Sequence, residues 1–306
     1  MQGEPCHISA QRKTIQLAYG RVSFLEWPTD GPVVLLCHGI TSSAVTLWRL
    51  GADLAADGWR VIAVDLPGHG QSDLSPAHDM DTIAGIVGDL IQALAITDLA
   101  MVGHSWGGAT TLALISGQHP SRTAIRRAVL LDPLVRQEAA VAPSLLPQFT
   151  IGVGQPPAET LPRLRELNPD WHPCDYYWKT QALAECRYEQ VAGLFLMPED
   201  WTLVPRIAWV QIPVLILLAE PAYTIIPPAI QGELRATAPA DLVQMVTIPG
   251  TNHNMLRGPG YEPTFQALRQ FLDNKWRRLN AAASIRTITG RGRGATSPHA
   301  EMAPGS

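Results

Sequence analysis

The sequence predicts an α/β fold: a mostly parallel central sheet of about eight strands, helices on both faces, and an inserted helical cap. Three observations predict it. Runs such as Val33 to Cys37, Leu99 to Val102 and Val214 to Ala219 are apolar at every position, as strands buried on both faces are. Helical periodicities fall between such runs, which is the alternation that builds a parallel sheet. One stretch, from about Leu134 to Trp209, breaks the alternation and is too long for a loop.

The elements follow in order. Thr14 to Tyr19 alternates, Gly20 intervenes, and Val22 to Trp27 resumes, so an antiparallel hairpin opens the sheet. Val33 to Cys37 is the first fully buried strand. A second, Arg60 to Asp65, runs into Asp65-Leu66-Pro67-Gly68-His69-Gly70-Gln71-Ser72, where proline and glycine make a tight structural turn. Ile83, Ile86, Val87, Leu90, Ile91 and Leu94 then mark one face of a helix. Leu99 to Val102 leads through Gly103-His104-Ser105-Trp106-Gly107 into a helix from Trp106 to Gln118, which stops before Pro120. Strands at Ala128 to Asp132, Val214 to Ala219 and Leu242 to Ile248 follow, and a last helix runs from about Glu262 to Leu279. The core is therefore assigned to residues 13–133 and 210–279. Residues 134–209, punctuated by seven prolines from Pro143 to Pro173 and showing no strand repeat, form the cap. Residues 280–306 bury too little to fold and are expected to be a disordered tail.

Composition bounds the partners. The chain has 306 residues, 46% of them apolar, and a net charge of −4, which argues against nucleic-acid or anionic-membrane partners. The first residues lack an apolar signal-peptide core, and no apolar run is long enough to span a bilayer, so a cytoplasmic location is expected. The cysteines Cys6, Cys37, Cys174 and Cys186 have no metal-ligand spacing. A Cys174–Cys186 pair is conceivable in an oxidising compartment; reduced packing residues are the expectation. No metal or cofactor is called for. Oligomeric state is not legible.

Ser105 is the candidate nucleophile. A serine on a tight strand-to-helix turn has its Oγ pushed into a cleft, and its neighbours must be nearly free of side chains. Its base is assigned to His253, in the loop between the last strand and the last helix, which opens at the same carboxyl edge of the sheet. The oxyanion needs two preorganised N–H donors. These are assigned to the amides of Trp106, beside the serine, and Ile40, after the strand Val33 to Cys37. His38 and His104 are expected to hold loops. The cap carries many aromatic residues, of which Trp171, Tyr176, Trp178 and Trp201 are candidate substrate contacts.

These motifs resemble the α/β-hydrolase superfamily from about Thr14 to Leu279, the cap excepted. His38-Gly39 is similar to its oxyanion loop, Asp65 to Ser72 to the turn after its fourth strand, Gly103 to Gly107 to its nucleophile elbow, and His253 to its catalytic histidine. One position departs. Family members usually carry the acid after the seventh strand, and there this chain has Tyr223, whose phenol cannot hold an imidazolium as a carboxylate does. Two substitutes are available: Asp132, at the end of the sixth strand, where some members place their acid, and Glu220, at the end of the seventh. Asp132 is favoured, Glu220 is the alternative acid, and a weakened triad is the remaining case.

The implied activity is two-step acyl transfer on an ester or lactone of an apolar small molecule. Carbon–carbon bond hydrolysis or a cofactor-free perhydrolase reaction on the same residues is an alternative, and a non-catalytic small-molecule receptor is another. An aspartate-nucleophile enzyme is disfavoured because position 105 is serine.

Overall fold

A computed structural model describes residues 6–273. By its internal contacts the chain divides into a compact unit, Met1–Arg269, and a second, Gln270–Ser306, of which only the end of one helix and the residue after it are described. The tail assigned to 280–306 lies outside the described residues, as does the part of the last helix expected beyond residue 273.

The chain begins with β1 (Gln11–Leu17) and β2 (Gly20–Trp27), an antiparallel pair, followed by β3 (Val33–Cys37). Helix α1 (Trp48–Ala56) leads to β4 (Arg60–Val64), and α2 (Met80–Ala93) to β5 (Leu99–His104). Asp79 caps α2 by accepting the Thr82 N–H at 2.9 Å. Helix α3 (Trp106–Ser116), buried at every position, leads to β6 (Ile125–Leu131). Two-residue strands β7 (Arg136–Gln137) and β8 (Trp201–Thr202) pair antiparallel. Between them lie α4 (Ala142–Phe149), α5 (Pro157–Leu167), α6 (Pro173–Ala184) and α7 (Tyr188–Phe195). The chain then forms β9 (Val214–Leu218), α8 (Pro228–Thr237), β10 (Val243–Thr247) and α9 (Tyr261–Leu272). The β7–β8 pair corrects the expectation that this stretch lacks strands: two residues a side are too few to leave a periodic trace.

The eight-stranded sheet has the order β1-β2-β4-β3-β5-β6-β9-β10, parallel from β4 onward. Strand β3 pairs with both β4 and β5, so the chain order reverses across it. Ligands bind beyond the carboxyl ends of strands at such a switch point. Alternate residues of β3, Leu35 and Cys37, join one buried cluster with α2, α3 and Leu234 of α8. On the other face Gly51 of α1 lies against Trp27, where an added Cβ would sit 2.4 Å from the indole. The Tyr261 hydroxyl donates to Asp53 there at 2.5 Å.

The helices between β7 and β8 have a small cluster of their own, Ala142, Leu146, Cys186, Val191, Ala192 and Phe195, and Ile40 packs against it. Cys174 is disulfide-bonded to Cys6, not paired with Cys186 or reduced as expected. The reason is placement. Cys186 is buried in that cluster, whereas Cys174 stands in the first turn of α6, where residue 6 passes. No helix among the described residues is long and apolar enough to cross a membrane.

Candidate active site

The turn from β5 into α3 is tight because two glycines permit it. A Cβ on Gly103 would lie 2.2 Å from the Gly107 carbonyl oxygen, and one on Gly107 would lie 2.3 Å from that of Cys37. Between them Ser105 adopts φ +53°, a left-handed conformation that costs a non-glycine residue energy and is held here by its surroundings. Its N–H donates to the Leu131 carbonyl at 2.9 Å, and its own carbonyl accepts from Ala109 and Leu134, each at 3.0 Å. Asp132, also at positive φ, is fixed alike: its N–H donates to the Leu217 carbonyl at 2.7 Å. Serine and aspartate therefore sit at the ends of neighbouring strands on one edge.

The structure brings Ser105, His253 and Asp132 together. His253 Nε2 lies 3.0 Å from Ser105 Oγ, and Nδ1 lies 2.7 Å from Asp132 Oδ2. A carboxylate only accepts, so Nδ1 carries the proton, and Nε2 offers a lone pair to the serine hydroxyl. Asp132 is fully buried. Burial opposes its charge, but His253, the Thr224 hydroxyl and the Ile225 N–H (3.1 Å) outweigh that and hold its pKa below the ordinary value. Sequence reasoning missed these last two donors. They come from the turn after β9, whose Tyr223 stands where the usual acid would be. That turn supplies donors to the carboxylate that follows β6 instead of a carboxylate of its own. Glu220 is not brought to the histidine. Among the described residues no hydrogen bond or ion pair joins its side chain to His253, and its N–H donates to the Thr251 carbonyl, bracing the histidine loop.

His104 braces the same loop by donating from Nε2 to the His253 carbonyl at 2.7 Å. The loop after β3 is held by two more imidazoles. His38 accepts the Leu66 N–H at Nε2 (2.9 Å) and donates from Nδ1 to the Gly39 carbonyl (2.8 Å). His69 accepts the Thr41 N–H (3.1 Å) and donates to the Pro67 carbonyl (2.8 Å). Burial pushes the pKa of all three histidines down to about 3, so they are neutral spacers. Asp65 completes the brace by accepting the Ala44 N–H at 2.8 Å. The Ile40 N–H makes no hydrogen bond among the described residues, and Trp106 is the first residue of α3, where an N–H has no partner inside its helix. One free amide thus adjoins the serine and the other follows Gly39, whose Cβ position lies 3.2 Å from Ser105 Cβ, an arrangement able to receive a developing negative charge.

The cap aromatics separate. Trp171 lies under Arg257, whose guanidinium carbon is 4.9 Å from its ring centroid, and Tyr176 packs beside Trp171. Trp178 lines a cavity of about 390 Å³ with Cys6, Arg12 and Leu25, and Trp201 packs on the main core. Of the four candidates, only Trp171 is tied by a described contact to the histidine loop. No group of three or more acidic, cysteine or histidine side chains that could hold a metal occurs among the described residues.

Comparison with known proteins agrees with this architecture. Residues 32–256 match the family model of the alpha/beta hydrolase fold. A non-heme chloroperoxidase of Streptomyces lividans is 35% identical over 136 residues, covering 41% of this chain and 46% of that protein. The chain thus spans about half the length of the curated relatives it matches. Two solved structures share the fold. E-2-(Acetamidomethylene)succinate hydrolase has a TM-score of 0.70 at 23% identity, over 86% of this chain and 99% of its own. An esterase from Exiguobacterium antarcticum has 0.71 at 17%, over 86% and 100%. With a matched segment running from the strand before the braced loop to the far side of His253, the chain belongs to the α/β-hydrolase fold family.

Proposed function

We propose that the chain is a serine hydrolase that cleaves a carboxylic ester or lactone of a small molecule through an acyl-enzyme. The relay from Asp132 through His253 to Ser105, at 2.7 and 3.0 Å, carries the reading. His253 Nε2 takes the hydroxyl proton as Oγ attacks the carbonyl carbon. The amides of Ile40 and Trp106 receive the oxyanion, and Asp132 stabilises the imidazolium. The C–O bond then breaks and His253 returns the proton to the leaving alkoxide. Water, deprotonated by the same imidazole, releases the acid and restores Ser105. Residues 134–209 are read as a cap over the oxyanion side of the site, a reading supported by the packing of Ile40 against the cluster they form. No cofactor enters these steps.

A second reading uses hydrogen peroxide in place of water as acyl acceptor. The likeness to a non-heme chloroperoxidase favours it.

The test is active-site labelling. A fluorophosphonate probe is expected to label the wild type and not Ser105→Ala. Turnover of a p-nitrophenyl ester should fall by about 10⁴-fold or more in the variant. A wild type that neither labels nor shows a burst overturns the hydrolase reading. Product analysis with and without peroxide separates hydrolysis from perhydrolysis.

A further inference from the structure

Two cations stand beside the proposed reaction centre with no acidic partner. The chain has three lysines, Lys13, Lys179 and Lys275, and the second lies on α6. Its Nζ donates to the Thr41 carbonyl at 2.7 Å, the Thr41 hydroxyl at 3.0 Å and Ser42 Oγ at 3.4 Å. Arg257, four residues after His253, reaches the same Ser42 Oγ at 3.4 Å and Asn254 Oδ1 at 3.0 Å. The two charges therefore meet at one hydroxyl, two residues beyond the Ile40 amide. Arg257 is 8% exposed, and these two contacts occupy a minority of its five N–H donors. Neither cation has a carboxylate within ion-pair distance among the described residues. Asp175 is the acid whose field reaches Arg257, but it is engaged by the Trp48 indole at 3.0 Å and by the His172 N–H at 3.3 Å. His38, His69 and His104 are neutral, and burial keeps the Cys186 thiol protonated.

Two like charges gathered and desolvated at one point cost stability unless an anion joins them. Burial and Arg257 push the Lys179 pKa down to about 7, and burial lowers that of Arg257 as well, the signature of a pair missing its counter-ion. A wholly structural role fits poorly, since a neutral amide would brace Thr41 and Ser42 without the charge.

We propose that Lys179 and Arg257 form a carboxylate-binding subsite, so that the substrate is an ester or lactone bearing a free carboxylate and not a wholly apolar one. A carboxylate there would accept from the free guanidinium N–H groups and, in place of the long 3.4 Å contact to Ser42 Oγ, from the ammonium, with the Trp171 ring behind the guanidinium. This rests on the acyl-transfer reading for its chemistry, though the anion site stands on its own residues.

The test pairs two esters with one binding probe. Mono-4-nitrophenyl glutarate is expected to show at least tenfold higher kcat/KM than 4-nitrophenyl pentanoate with the wild type. The ratio should fall by about tenfold or more in Lys179→Met and in Arg257→Met, with partial recovery in Arg257→Lys. Taking the ratio cancels losses common to both esters, and thermal melts report whether each variant folds. Glutarate binding to Ser105→Ala, followed by calorimetry, should be lost in the Ser105→Ala/Arg257→Met double variant. Ester turnover with no anion preference and no glutarate binding overturns the subsite while leaving the hydrolase reading intact. Glutarate binding that depends on Arg257 in a protein turning over no ester sustains the subsite and sinks the hydrolase reading. Glutarate binding that the substitutions leave unchanged also overturns it.

Discussion

Asp132 holds its charge in the interior because three donors converge on it: His253 Nδ1, the Thr224 hydroxyl and the Ile225 N–H. Its proposed role in the relay and its effect on stability have this one cause. Asp132→Asn is expected to lower kcat by about 10³–10⁴-fold, since the amide can donate to the imidazole and turn it to the wrong tautomer. Glu220→Gln should stay within about twofold. Steady-state kinetics on one ester decide between them, and the reverse pattern would put the acid in the turn after β9. The same residue sets an acid limit. Its folded pKa lies below the ordinary 3.8, so the stabilisation is fully present above pH 3.8 and is lost as pH falls through the folded value. Below pH 3.8 the wild-type melting temperature should therefore drop more steeply than that of Asp132→Asn.

At the scale of elements, the turn between β5 and α3 is tightly constrained, because its geometry leaves no room for a Cβ at Gly103 or Gly107. Gly103→Ala brings a methyl to 2.2 Å of the Gly107 carbonyl oxygen, and it should cost about 1–3 kcal/mol and slow probe labelling of Ser105. Gly85→Ala is the contrasting case. Gly85 lies inside α2, and an added Cβ meets nothing within 4 Å, so that change should add about 0.5–1 kcal/mol. Denaturant melts of the two variants read opposite signs. The same physics decides which elements were legible in the sequence. Strands β3, β5, β6 and β9 are mostly buried on both faces and read as unbroken apolar runs, and Gly103 and Gly107 mark the serine turn by their lack of side chains. The pair β7–β8 left no trace, being two residues a side. The turn after β9 read as a missing acid, because the sequence shows Tyr223 and conceals the fact that Thr224 and Ile225 face a carboxylate that follows another strand.

Across the whole molecule, what escaped the sequence is what depends on contacts between distant segments. The placement of Ser105 and His253 at one sheet edge was legible because each follows a strand that ends there. Lys179 and Arg257 share Ser42 only through the fold, and a lysine on a helix otherwise reads as solvated surface. The Cys6–Cys174 bridge belongs to the same class. It ties the segment before β1 to the start of α6, the helix that carries Lys179, across a sequence separation of 168. A crosslink closing so long a loop removes much of the unfolded chain's freedom, worth about 5 kcal/mol in the chain-entropy account and commonly about 2–4 in practice. Protein unfolded without reductant should thus titrate two thiols, Cys37 and Cys186, and four after reduction. Reduction should lower the denaturant midpoint. Because the bridge anchors the first turn of α6, reduction should also weaken glutarate binding more than it slows fluorophosphonate labelling. Four thiols in protein kept from reductant would mean that residue 6 is free of Cys174, and α6 would then be held by its packing and its hydrogen bonds, among them those to Thr41, Ser42 and Trp48.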